Sequence, residues 1–178
     1  MDTALPDALT PIMALPVIGA LGQADGLLGL AAMRGSDVEL NLSRGTLRLS
    51  TTCPALERNT FILSPDGTVP FRVNGVMLRA LIDTGSRGTV LGSAAARRLS
   101  LHAPIAASTF RGIDGVARPL RYVQLQSVQA GSILRTSVEA SIAELGLGPI
   151  DLLVGMDFLA PYRILLNSSQ TRLSIELP

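Results

Sequence analysis

Met77-Leu-Arg-Ala-Leu-Ile-Asp-Thr-Gly-Ser-Arg-Gly-Thr-Val-Leu91 is the stretch on which the reading of the fold turns. Its first half is an apolar strand that delivers the chain into Asp83-Thr84-Gly85-Ser86. An acid at the end of a buried strand is costly to desolvate unless something requires it there. Gly85 permits a sharp turn and lets a partner chain or a substrate come close. Thr89-Val90-Leu91 resumes a strand, and Ser93 is placed to cap a short helix over Ala94 to Leu99, which is rich in good helix formers. On the upstream side, Phe71-Arg72-Val73, Asn74-Gly75 and Val76 to Ile82 spell a hairpin, because Asn-Gly supplies the two positive φ angles of a type I′ turn.

Composition narrows the chemistry that this stretch can support. The chain has 178 residues, 15 basic and 14 acidic, for a formal net charge of +1. Near-neutral charge, no Trp and six aromatics argue against nucleic-acid binding, which needs basic patches and stacking faces. All 15 basic residues are Arg, so chemistry that runs through a lysine is excluded. One His (His102) and one Cys (Cys53) leave no second member for a His/Cys metal cluster or an internal disulfide, and no cofactor is expected. A hydrolase built on His102 is the remaining nucleophilic alternative, although His102 reads as a surface residue beyond the helix and Cys53 as an inert or free thiol. The longest apolar run, 11–22, is broken by Pro16 and is shorter than the roughly 20 residues of a membrane span. Met1-Asp-Thr-Ala lacks the basic start of a secretory signal, so the chain reads as soluble as written, and as periplasmic or secreted if a signal peptide lies upstream.

The chain also repeats itself. Shifted by 126 positions, Asp25 to Ser50 aligns with Asp151 to Glu176 without a gap. Asp25-Gly-Leu-Leu-Gly-Leu meets Asp151-Leu-Leu-Val-Gly-Met, and Leu40-Asn41, Ser43 and Leu47 meet Leu166-Asn167, Ser169 and Leu173. Val38, Leu40 and Leu42 alternate with polar residues, the period of a half-buried strand, and Ser43-Arg44-Gly45 makes a turn. Residues 1–50 therefore read as the C-terminal half of one unit, 51–60 as a linker, and 61–178 as one complete unit. Asp25 and Asp151 head the two copies and are expected to be structural.

The loop now has a family to compare with. Ala80-Leu-Ile-Asp-Thr-Gly-Ser-Arg-Gly-Thr-Val-Leu91 resembles the active-site loop of retropepsin-like aspartic proteases, the retroviral type and its bacterial relatives. Asp151-Leu-Leu-Val-Gly-Met-Asp-Phe-Leu159 matches the second signature, two apolar residues before Gly at the end of another strand, and looks like the bacterial branch. The resemblance implies an all-β acid-protease barrel with one short helix, preceded by a partial N-terminal copy of the same unit. It implies an aspartic endopeptidase that hydrolyses peptide bonds with a water activated by an Asp dyad, without metal or cofactor. Asp83 is the catalytic residue that the resemblance carries over, supported by Thr84, which locks two such loops together, Gly85, whose backbone binds the substrate chain, and Ser86, whose hydroxyl is placed to bond the carboxylate. Leu153, Val154 and Gly155 form the second signature loop.

One unit supplies one carboxylate, and two are needed. Asp2-Thr-Ala is not the second: it stands 23 residues before Asp25, whereas Asp83 stands 68 before Asp151. The expected partners are a protein or peptide substrate and a second unit, from a homodimer or an upstream lobe. A flap over the substrate is placed at Thr109 to Ala117, with Gly112 and Gly115 bracketing Ile113 and Asp114, since Gly on both sides of a tip permits bending. Tyr122 to Leu145 reads as two scaffold strands around Gly131, and Asp157 as the cap of a helical turn. Arg87 stands where retroviral sequences place an acid, so their substrate preference does not transfer. The alternative function is a catalytically silent dimerisation or binding module on the same fold.

Overall fold

The computed structural model describes residues 33, 35–51, 59–101, 107–111, 117–146, 148–167 and 171–177. The first signature copy from Asp25, Cys53, His102 and the flap tip Gly112, Ile113, Asp114 and Gly115 lie outside the described residues.

Asn74 (φ 46°) and Gly75 (φ 83°) turn the chain between β4 (Val69–Val73) and β5 (Val76–Ile82), as the Asn-Gly pair predicts. Along β4, Val69, Phe71 and Val73 are buried and Pro70 and Arg72 exposed, the period of a strand with one face in a core. Asn74 also ties this hairpin across the molecule. Its N–H donates to Ser127 O (3.0 Å), and its Oδ1 accepts from Ser127 N (3.1 Å). Ser127 lies in β8 (Ala117–Ala130), and β4 pairs with β8 through Arg72↔Gln129 and Val73↔Val128.

That pairing closes a barrel. Its ring runs β4, β5, β10 (Leu152–Val154), β6 (Val90–Gly92), β9 (Ile133–Ala143), β8 and back to β4, and β7 (Ala107–Arg111) extends the sheet beyond β8. Closure satisfies the ladder hydrogen bonds that an open sheet leaves at its edges. β8 and β9 turn at Gly131, which has a positive φ, as expected for the two scaffold strands. Among the described residues there are two helices, α1 (Ser93–Arg98) and the single turn α2 (Met156–Leu159). The sequence pointed to one helix, starting at Ala94 behind a Ser93 cap. Instead Ser93 is the first helical residue, and the N-cap is Gly92, which has no side chain to bond the helix end.

A second sheet, in the order β2 (Thr46–Ser50), β1 (Asp37–Asn41), β11 (Arg163–Asn167), β12 (Arg172–Glu176), β3 (Thr60–Ile62), packs against the barrel through β11 and β12. Ile164, Leu173 and Ile175 enter one core with Phe71, Leu78, Leu91, Leu125, Leu152 and Phe158. A row of aromatics runs through it. Ring centroids are separated by 6.4 Å for Phe61–Phe71, 5.6 Å for Phe71–Phe158 and 5.9 Å for Phe158–Tyr162, the spacing at which aromatic pairs add to simple burial. Of the described residues, no helix is long and apolar enough to cross a membrane.

Candidate active site

β10 brings the two signatures together. It lies between β5 and β6, parallel to β5 with Leu152↔Ala80, Leu153↔Leu81 and Val154↔Ile82. The loop after β5 and the loop after β10 therefore leave the sheet side by side. Asp83 N–H donates to Val154 O (3.0 Å), continuing the ladder one residue past the strand. Leu153 is half-buried and Val154 fully buried, so the second signature supports the loop from below.

Gly155 shows why this position has no side chain. A Cβ there would stand 2.4 Å from Gly88 O and 2.9 Å from Ser86 O, closer than any real contact. The two loops lie backbone on backbone: Met156 N–H donates to Ser86 O (2.8 Å) and Asp157 N–H to Arg87 O (3.0 Å).

Within the first loop, the half-buried Asp83 accepts Gly85 N–H at Oδ1 (3.0 Å), while its carbonyl accepts Ser86 N–H (3.1 Å). Gly85 has no left-handed φ. Its value lies in space, since a Cβ would come within 3.2 Å of Asp83 Oδ1. Thr84 and Gly85 are exposed on the outer side of the loop. Ser86 departs from expectation: its hydroxyl donates to Gly88 O (2.7 Å) and not to the carboxylate. The turn that sets Ser86 N–H on Asp83 O directs the Ser86 side chain along the loop, where an unbonded carbonyl takes it.

The far end of the loop is held by a residue that the sequence reading had given another role. Asp157 lies in the first turn of α2, but the N-cap is Gly155. Asp157 Oδ1 accepts from Thr89 Oγ1 (2.8 Å) and from Phe158 N (2.8 Å), and Oδ2 accepts from Thr89 N (2.9 Å). A charged acceptor taking three donors fastens the exit of the Asp83 loop to α2. Arg135, from β9, donates to Asp157 O (2.7 Å) and lies 5.5 Å over the Phe158 ring, so the barrel wall grips the same turn. No local pattern points to a partnership between residues 68 apart; the only hint is a polar residue just past each signature.

Asp151 is structural, as expected. Its Oδ1 accepts from Arg98 (2.7 Å) and its Oδ2 from Arg79 N (3.0 Å), joining α1 to β5 behind the loop. β7 and β8 form the arms of the hairpin expected to carry the flap, pairing from Ala107↔Arg121 to Arg111↔Ala117, with the tip beyond the described residues. Among the described residues, no group of three His, Cys, Asp or Glu side chains could hold a metal ion.

Comparison with known proteins agrees with this geometry. A family profile described as "Aspartyl protease" matches residues 69–158, from β4 through α2 and so across both signatures. Among solved structures, a retropepsin-like aspartic protease from Rickettsia conorii is similar at a TM-score of 0.53 and 17% identity, over 68% of this chain and 91% of that one. The EIAV protease complexed with the inhibitor HBY-793 aligns at a TM-score of 0.44 and 19% identity, over 52% of this chain and 83% of that one. No curated protein matches the chain. The barrel is thus the retropepsin-like one, and with its profile spanning half of the sequence, the chain belongs to the aspartyl protease family.

Proposed function

We propose that the protein is an aspartic endopeptidase in which Asp83 is one of two catalytic carboxylates, the other coming from a second unit of the same kind. The observation that carries this reading is the placing of Asp83. A half-buried carboxyl at a strand end accepts the Gly85 N–H, on a backbone bonded to Val154 and Ser86, next to exposed Thr84 and Gly85, which a second loop and an extended peptide can reach. Two carboxyl groups facing each other across a water share one proton, because charges so close cannot both ionise, and aspartic proteases are the standard instance. The ionised member takes a proton from the water, whose oxygen attacks the scissile carbonyl carbon. The protonated member meanwhile donates to the carbonyl oxygen as charge builds there. No covalent intermediate forms, and His102 has no part. Thr84 would fasten the two loops to each other, Gly85 would bond the substrate backbone, and the β7–β8 hairpin would close over it through Gly112–Gly115.

The test is peptide cleavage by the assembled protein, inhibited by pepstatin. Asp83→Asn is expected to lower it about 100- to 10,000-fold with an unchanged melting temperature. Cleavage that survives Asp83→Asn removes the dyad reading and leaves the hydrolase built on His102, whereas an assembled parent protein that cleaves no peptide leaves the silent binding module.

A further inference from the structure

The loop that leaves Asp83 is bonded along its length. Asp83 O accepts Ser86 N–H (3.1 Å), and Ser86 Oγ donates to Gly88 O (2.7 Å). Asp157 takes the N–H and the hydroxyl of Thr89 (2.9 and 2.8 Å). The main chain of Arg87 is fixed as well, its carbonyl accepting Asp157 N–H (3.0 Å). The Arg87 guanidinium is the exception. Arg87 is exposed, and among the described residues no carboxylate pairs with it and no acceptor takes its hydrogen bonds.

The acids of the two signatures are engaged elsewhere. Asp157 accepts three donors, Asp151 is paired with Arg98 (2.7 Å), and Asp83 accepts Gly85 N–H (3.0 Å). Arg135, the cation that reaches α2 from the barrel wall, is bonded to the carbonyls of Asp157 and Phe158 and lies over the Phe158 ring. Arg87 therefore presents a solvent-facing charge on a fixed base, four residues after the acid of the site.

The turn limits how far from the reacting bond that charge acts. Ser86 N–H on Asp83 O closes a four-residue turn, which keeps the Cα atoms of Asp83 and Ser86 within about 7 Å. The next residue adds at most about 3.8 Å. An extended peptide advances about 3.4 Å per residue, so Arg87 stands at most about three substrate residues from Asp83. The carbonyls of Ser86 and Arg87 face α2, where they accept Met156 and Asp157 N–H, and Thr84, Gly85 and Arg87 are the exposed residues of the loop.

A guanidinium offers a planar fork of donors that fits a carboxylate, and a pre-organised fork loses little freedom on binding one. A dyad that shares one proton carries a negative charge, which repels an acidic peptide unless a cation stands close by. We propose that Arg87 is a specificity-determining residue, selecting peptides with an aspartate or glutamate side chain about two to four residues from the scissile bond. The count from the cut rests on the function proposed above; the carboxylate preference is read by binding alone.

The test pans a random peptide-display library on the assembled Asp83→Asn protein, which is expected to bind without cutting. The binders should carry an Asp or Glu at a fixed position. Exchanging that Glu for Gln in a synthetic binder should weaken it about 10-fold or more, the strength of a hydrogen bond to a charged group. With Arg87→Gln added, the Glu and Gln peptides should bind alike, and Arg87→Lys should keep part of the difference, since it restores the charge without the fork. The parent protein should cut the binders, with mass spectrometry of the products placing the acid about two to four residues from the cut. Binders without acidic enrichment, or a Glu-to-Gln ratio that Arg87→Gln leaves unchanged, overturn the proposal. Equal weakening of all peptides with loss of the assembled species in sedimentation also overturns it, and places the acid that Arg87 meets on the second unit. Arg87-dependent binding of acidic peptides that the parent never cuts keeps the carboxylate selectivity and removes the protease reading.

Discussion

Hairpins β1–β2 and β11–β12 share strand lengths, register and turn geometry, yet Leu47 and Leu49 lie open where Leu173 and Ile175 are buried. Hairpin conformation is made from the backbone and the turn residue, and one neighbouring strand suffices to hold it. Burial needs a body on the other side of the sheet. β11–β12 has the barrel and, among the described residues, β1–β2 has no such body, so one side-chain pattern serves as core in one place and as surface in the other.

The widest gap is expected at the matched pair Ile175 and Leu49. Ile175→Ala should cost about 3 kcal/mol, because the cavity forms in the fully buried core shared with the barrel, whereas Leu49→Ala should stay within about 0.5 kcal/mol. Urea unfolding of both variants measures the gap, and equal losses would break the comparison. The turns give a smaller effect of opposite signs. Thr171 holds a left-handed backbone that glycine adopts freely, so Thr171→Gly should gain, and Gly45→Thr should lose, about 1 kcal/mol each. Two changes of the same sign in thermal unfolding would show that the turns are not equivalent.

The smallest effect concerns the strand that only β12 possesses. β3 leads into a turn where Asp66 Oδ1 accepts from Thr68 Oγ1 (2.7 Å) and N (3.2 Å), with Arg79 paired to the other oxygen. The Thr68 hydroxyl, with the Thr68 amide and the Arg79 guanidinium, holds this carboxyl below its ordinary 3.8. A lowered folded value means that the contribution is complete above about pH 3.8 and is lost as pH falls through the folded value. Asp66→Asn should therefore be slightly less stable at neutral pH and should converge with the parent protein in acid. Parallel stability–pH curves would remove Asp66 from the account.

The parts of the fold legible in the sequence were those decided over a few residues. Asn74-Gly75, Gly131 and the alternation of Val38 and Leu40 each announce a hairpin through turn chemistry and period, and each hairpin is there. The insertion of β10 between β5 and β6, and the closing of β4 on β8, join residues 55 to 72 apart, and no local pattern encodes them. The site divides in the same way. Asp83 stood out as an acid ending an apolar strand. The Ser86 hydroxyl bonds the Gly88 carbonyl and not the carboxylate, because the turn of the loop sets its direction, and the motif alone does not show that turn. The clamp from Asp157 to Thr89 was missed because its partners meet only after the two signature loops lie together.

That meeting has a mechanical consequence. At Gly155 the backbones of the two loops touch with no side chain as a cushion, and two further residues bond α2 to Ser86 and Arg87. Loop and helix turn therefore move as one rigid piece, and Phe158, on that piece, presses on Phe71 in the middle of the barrel. The bearing of the Asp83 carboxyl is in this way transmitted from the packing of the interior. A change of volume at Phe71 acts on the acid as a lever acts on its far end, without touching it.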